Sequence, residues 1–267
     1  MTSTQPATTT DESLNDEHPE APAPRSALRA RVPRLVSRLA AEFVGTAFLV
    51  AGVVGSGIMA QRLTDDRGLQ LLQNAVATAG VLVALILALG PASGAHFNPV
   101  VTLVDRAFGG IDTSTAVLYI IVQVAGAIVG AMVANVMFGL PLVEWSTTER
   151  SGGDLWFSEG TATLGLLLVI FGVVRSGRAS LAAFAVAGYI AGAYYFTSST
   201  SFANPAVTIG RAFSNTFAGI EPADVPMFIV AQLVGALVAT GLILVLYPRI
   251  ADVAEDVVVP HPDEPRA

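Results

Sequence analysis

The chain has 267 residues, 53% of them hydrophobic and 13% charged, a net charge of −7 and no cysteine. A mean hydropathy of +0.63 excludes an ordinary soluble domain and makes the chain a polytopic, all-α membrane protein. The missing cysteine excludes disulfides, thiolate metal sites and thiol redox chemistry, and no cofactor or metal site is expected. The negative charge describes the ends of the chain, because Asp11, Glu12, Asp16, Glu17 and Glu20 lie in one tail and Asp252, Glu255, Asp256, Asp263 and Glu264 in the other.

Residues 1–34 are acidic and rich in Thr and Pro and finish in an Arg cluster, and they bury too little apolar surface to offset the entropy of ordering, so a disordered tail is expected. The N-terminus lacks a signal-peptide pattern, so the first apolar run stays as a membrane helix. A span takes about 20 apolar residues. Six stretches qualify, at 36–59, 71–90, 115–138, 158–175, 180–197 and 224–247. Arg25, Arg29, Arg31, Arg34 and Arg38 flank the first, and Arg175 and Arg178 separate the fourth from the fifth. The positive-inside rule then places both termini in the cytoplasm, in a plasma or inner membrane. Residues 249–267 form a second acidic tail.

Between the second and third spans stands Asn98-Pro99-Val100, and after the fifth stands Asn204-Pro205-Ala206. Asn caps a helix by accepting from its first free N–H groups, and Pro suits the next position, where a missing N–H costs nothing. Each motif therefore reads as a helix start within the membrane. Non-helical backbone is tolerated at that depth only inside protein or along a wet cavity, so the pair points to a pore.

The halves also match. Ala41-Glu42 opens the first span as Ser158-Glu159 opens the fourth, and Gln123-Val-Ala-Gly-Ala-Ile-Val-Gly130 resembles Gln232-Leu-Val-Gly-Ala-Leu-Val-Ala239. Three spans are duplicated, 35–140 and 155–248, within one channel domain at 35–248. Because three is odd, the second copy is inverted. Two re-entrant half-helices then meet N-terminus to N-terminus near the midplane, each presenting about half a positive charge that opposes cations.

At these residues the chain resembles the major intrinsic protein family, the aquaporins and aquaglyceroporins. The resemblance implies an aquaporin-like fold of six spans and two half-helices, a homotetramer with one pore per subunit, and Asn98 and Asn204 donating to a permeant in single file. It also implies that Glu42 and Glu159 brace the re-entrant loops, with His96 structural beside them. The family's spacing puts the selectivity filter at Thr78, Gly192, Ser201 and Val207. Val207 stands where water-selective members have Arg, and no aromatic, His or charged group occupies the four positions. Ile209 stands where glycerol-selective members have Asp. Arg211, one turn beyond Val207, either carries positive charge to the outer vestibule or is a headgroup-level or interhelical Arg. Asp105 is either its cytoplasmic counterpart or the partner of Arg106. The segment from Asn204 to Ile220 is similar to a bacterial subgroup encoded with arsenic-resistance genes, which implies As(OH)3 among the solutes.

The reading that results is a passive channel for small neutral solutes: water, glycerol-like polyols and arsenite. A water-selective channel is the alternative, and a proton-coupled secondary transporter or a closed structural protein follows. Neither an enzyme nor a nucleic-acid partner is expected, because His18, His96 and His261 are dispersed and no basic surface is present.

Overall fold

The computed structural model describes residues 1–2 and 35–248. The tails expected at 1–34 and 249–267 therefore fall almost wholly outside the described residues. The helices below belong to one compact unit. They are α1 (Leu35–Leu63), α2 (Arg67–Ser93), α3 (Pro99–Phe108), α4 (Thr113–Met137), α5 (Gly153–Arg175), α6 (Ala182–Phe196, after a short turn of 3-10 helix at Ala179–Leu181), α7 (Pro205–Arg211) and α8 (Val225–Leu246). Six segments, those of α1, α2, α4, α5, α6 with its leading turn, and α8, are long and apolar enough to cross a membrane. At 1.5 Å per residue, the 10 residues of α3 and 7 of α7 reach only part-way.

Local chemistry sets the ends. Asp66 caps α2 by accepting from Leu69 N at 2.9 Å, and Asp112 caps α4 by accepting from Thr115 N at 3.0 Å. The second span, expected at 71–90, begins earlier, at Arg67, and runs through Pro91 to Ser93. The real stop is Gly94, whose φ of 86° suits only glycine easily and whose N–H donates back to the Gly90 carbonyl.

The duplication is visible in the packing. α1 lies against α4 and α2, α5 against α8 and α6, and the halves meet along α2 and α6. Small residues permit the closest approaches: a Cβ on Gly126 or Gly130 would collide with the Phe43 or Ala47 carbonyl of α1, and one on Gly235 with the Gly160 carbonyl of α5. In lipid, where apolar surface alone gives no drive for helices to associate, such backbone proximity supplies the dispersion energy. Large apolar side chains such as Phe48, Val76 and Leu237 point outward and are exposed, as a lipid-facing surface requires. Gly130→Leu is expected to overpack the α1–α4 seam by about 1–3 kcal/mol and lower the thermal midpoint in detergent. Gly188→Ala, whose added Cβ meets nothing within 4 Å, should leave that midpoint unchanged.

Candidate functional site

Asn98 and Asn204 are extended, at φ −154° and −160°, and each starts a short helix with Pro at its first position. Asn98 Oδ1 accepts from Val100 N at 3.0 Å, while Asn204 Oδ1 accepts from Ala206 N at 3.0 Å and Val207 N at 3.2 Å. The other end of each amide crosses to the opposite half. Asn98 Nδ2 donates to the Ala203 carbonyl at 2.8 Å, and Asn204 Nδ2 donates to the Phe97 carbonyl at 2.8 Å. One hydrogen of each NH2 therefore joins the two half-helix starts and the second is left over.

The chain that leads into each Asn is bent unusually. Ala95 and Phe97 before Asn98, and Ser201 and Ala203 before Asn204, all have positive φ, between 46° and 52°. Non-glycine residues there are strained by about 1–3 kcal/mol each, so other contacts must hold them. Two buried carboxylates do so. Glu42 of α1 accepts from Ser93 Oγ (2.7 Å), His96 N (3.0 Å), Phe97 N (2.7 Å) and Gln123 Nε2 (2.8 Å). Glu159 of α5 accepts from Phe202 N (2.8 Å), Ala203 N (2.8 Å) and Gln232 Nε2 (2.7 Å). The glutamines then extend the network: Gln123 Nε2 also reaches Thr102 Oγ1 and Gln232 Nε2 reaches Thr208 Oγ1, and these hydroxyls donate to the carbonyls of Asn98 and Asn204. Several charge-assisted bonds per carboxylate offset much of its desolvation cost.

His96 lies in the first of these networks, its ring between Thr102 Oγ1 at 3.1 Å and Asp105 Oδ2 at 3.5 Å. Asp105 thus pairs with His96 and not with Arg106, whose Nε donates to Thr113 Oγ1 at 2.7 Å.

Between the halves runs a narrow conduit of about 60 Å³. One wall is apolar, built from rows at four-residue spacing: Leu49 and Val53 of α1, Leu82 and Ile86 of α2, Leu166 and Ile170 of α5, Val186 and Ile190 of α6. The other is the two re-entrant segments with Asn98 and Asn204. Thr78, Ser201 and Val207 line it as well, but Gly192 does not. Gly192 is exposed, with open space where a Cβ would stand. Residues of α6 that face the conduit recur every four positions, and 100° per residue turns position 192 about 200° away from 190 and from 194. Tyr194 takes that place, its hydroxyl 3.1 Å from Thr78 Oγ1. Tyr194 thus joins the rings of Phe97, Phe202 and His96 in the lining, although none stands at the four positions selected by spacing. The Ser201 hydroxyl is without a hydrogen-bond partner among the described residues.

Arg211 also lines the conduit and is buried. Its Nε donates to the Ala218 carbonyl, and its guanidinium carbon sits 3.4 Å from the centroid of the Phe202 ring. This is a cation facing the lumen, not one at headgroup level. A wider basin of about 670 Å³ opens on the face that carries the turn at 64–66 and the loops 138–152 and 212–224, and Arg150 is among its lining residues. Among the described residues no group of three or more His, Cys, Asp or Glu is placed to hold a metal.

Comparison with known proteins agrees with this geometry. The major intrinsic protein family matches residues 29–190 and 174–263. The chain belongs to the major intrinsic protein family. It is 49% identical over 208 residues to aquaglyceroporin AqpS of Rhizobium meliloti (strain 1021), covering 78% of this chain and 89% of that one. It is 30% identical over 218 residues to aquaporin NIP6-1 of Arabidopsis thaliana, covering 78% and 68%. The fold matches the X-ray structure of the aquaglyceroporin from Plasmodium falciparum with a TM-score of 0.61 at 21% identity, over 81% of this chain and 99% of that one. Members of the major intrinsic protein family are multi-pass membrane channels, and six apolar spans around a lumen fit that description.

Sequence reasoning did not select Gln123, Gln232, Thr102, Thr208 or Tyr194 for the site of this major intrinsic protein. The glutamines had a signal: each opens a duplicated Gln-x-x-Gly-Ala segment, and a buried amide at matched positions needs matched partners. Tyr194 could have been found from the Val186, Ile190, Tyr194 stripe. Glu159→Gln is expected to replace one acceptor oxygen with an NH2 that faces a loop N–H, at a cost of about 1–3 kcal/mol. Its thermal midpoint in detergent and its glycerol flux in proteoliposomes should both fall.

Proposed function

We propose that the chain is a passive channel for small neutral solutes, passing water, glycerol-like polyols and the uncharged triol As(OH)3. The observation that carries this reading is Val207: the half-helix position from which other family members present Arg is filled by an aliphatic side chain that lines the conduit. Thr78, Tyr194 and Ser201 supply hydroxyls beside it, and the rows of Leu, Ile and Val supply an apolar face. A polyol, with carbon on one side and hydroxyls on the other, suits a lumen divided in that way. The aquaglyceroporin name of the Rhizobium relative points the same way. Flow follows the solute gradient, because no carboxylate that could couple it to protons is found among the described residues lining the conduit.

The same reading assigns Asn98 and Asn204 as the central donors, with Pro99, Val100, Pro205 and Ala206 fixing their half-helices, and Thr78, Tyr194, Ser201 and Val207 as the filter. Glu42, Glu159 and His96 brace the loops. Both termini are placed in the cytoplasm of a plasma or inner membrane, so the basin faces outward, and four copies assemble with one conduit each. Water selectivity is the second reading, and Tyr194 and Arg211 favour it because an aromatic ring and a cation face the lumen together. Stopped-flow light scattering on proteoliposomes separates the two. Under the first, wild type takes up glycerol as well as water, and Val207→Arg lowers glycerol uptake at least about tenfold, the loss of roughly 1.4 kcal/mol, while water still passes. Wild type that passes water alone overturns the wide-filter reading.

A further inference from the structure

The conduit lacks a fixed charge at Val207, yet two guanidinium groups stand just beyond it. Arg211 and Arg150 share the ring of Phe202, with their guanidinium carbons 3.4 Å and 4.9 Å from its centroid. Phe202 and Arg211 line the conduit and Arg150 lines the basin, so the three side chains mark the passage from one to the other. Arg150 comes from the loop between α4 and α5, far along the chain from the half-helices, and is fastened there. Its Nε donates to the Gly219 carbonyl at 2.7 Å, its terminal nitrogens reach the Phe217 and Ser199 carbonyls at 3.4 and 3.5 Å, and its own N–H donates to Asp224 Oδ2 at 2.6 Å.

We infer that Arg150 and Arg211 together form a cation-excluding collar at the basin end of the conduit, which replaces in charge, though not in position, the arginine missing at 207. The proposal rests on the reading of this lumen as a path for neutral solutes and names the residues that keep cations out of it.

Neither guanidinium is in contact with a carboxylate among the described residues. The acceptors of their guanidinium hydrogens are backbone carbonyls, and neither forms an ion pair among the described residues. Burial pushes the Arg150 guanidinium down only to about 10, so it stays protonated at neutral pH. Glu159 and Asp224 act on Arg150 from nearby and offset part of its charge, but their hydrogen bonds, to Phe202 N, Ala203 N and Gln232 and to Arg150 N, hold them off both guanidinium groups. Asp65, Glu149 and Arg67 also line the basin, but all three are exposed, where salt screens them strongly. Arg211 is buried and Arg150 half-buried, so their field is screened less. The aromatic ring holds them close to each other: its negative face attracts both cations and offsets part of their mutual repulsion. An uncharged solute feels little of this field, whereas a monovalent cation entering from the basin meets two like charges before it reaches Asn98 and Asn204.

Urea and guanidinium provide the test, since they are nearly the same shape and differ by one charge. Influx of each into proteoliposomes is measured for wild type, Arg150→Gln, Arg150→Lys and Arg211→Gln. The expected result is a guanidinium-to-urea ratio that rises about tenfold in Arg150→Gln, from the Coulomb energy of one charge at this range, and stays near wild type in Arg150→Lys. Loosening of the loop without a charge effect would raise both solutes together and leave the ratio unchanged, which overturns the proposal. So does a ratio that rises equally in Arg150→Lys. Arg211→Gln is expected to shift the ratio in the same direction. Wild type that excludes urea and glycerol alike overturns the wide-filter reading. In that case proton leak, read with a trapped pH dye, decides the collar: leak higher in Arg150→Gln than in wild type and Arg150→Lys upholds it, and equal leak overturns it.

Discussion

The two bonds that cross between Asn98 and the Ala203 carbonyl and between Asn204 and the Phe97 carbonyl, both 2.8 Å, are the constraint on which the rest of the structure depends. Each half-helix is too short to stand in a membrane alone, and each begins with free N–H groups that lipid cannot satisfy. By capping its own helix with one end of the amide and the opposite loop with the other, each Asn makes either half incomplete without its counterpart. The duplicated halves are therefore joined at the two asparagines, which both line the conduit.

Holding this junction in place takes charge. The residues before each Asn adopt backbone conformations that only glycine reaches freely, and the N–H groups of His96, Phe97, Phe202 and Ala203 have no backbone acceptor among the described residues. Glu42 and Glu159 collect those N–H groups from the neighbouring spans, and Gln123 and Gln232 close each network against the half-helix threonines. A neutral acceptor with one oxygen could serve only part of each set. Where an intramembrane carboxylate usually binds substrate or protons, these two take donors from the protein itself, four at Glu42 and three at Glu159, and neither is among the residues that line the conduit.

Much of this was legible in the sequence, because the signals were local or repeated. Asn-Pro at 98 and 204 marks helix starts by capping chemistry alone, the six spans follow from hydropathy, and Glu42 and Glu159 stand out as matched charges in apolar runs. What failed was carrying a position along a helix by counting. Gly192 lies the family's usual distance before Asn204, but the loop between α6 and Asn204 decides how α6 is rotated when it reaches the lumen, and a one-dimensional count does not register rotation. The helical stripe through Val186 and Ile190 registers it and leads to Tyr194. The second span also runs beyond the hydropathy limit at 90, because Pro91 forfeits one hydrogen bond without ending the helix and Gly94 sets the end. Arg150 could not have been chosen from sequence, since only tertiary folding brings a loop arginine to the ring of Phe202.

The arrangement separates what must be kept from what can vary. Glu42, Gln123, Thr102 and their counterparts Glu159, Gln232 and Thr208 are fully buried, and a change at any of them leaves a buried donor or acceptor without a partner, so the fold itself resists it. Val207 and Ser201 have no side-chain hydrogen bond to lose. Thr78 and Tyr194 have one bond, and it is to each other. A substitution at these four positions alters the bore and polarity of the lumen while the two carboxylate networks and the crossed asparagine amides remain intact. An arginine can therefore be absent from position 207 without loss of the pore, and positive charge at the mouth can come from side chains anchored in other loops.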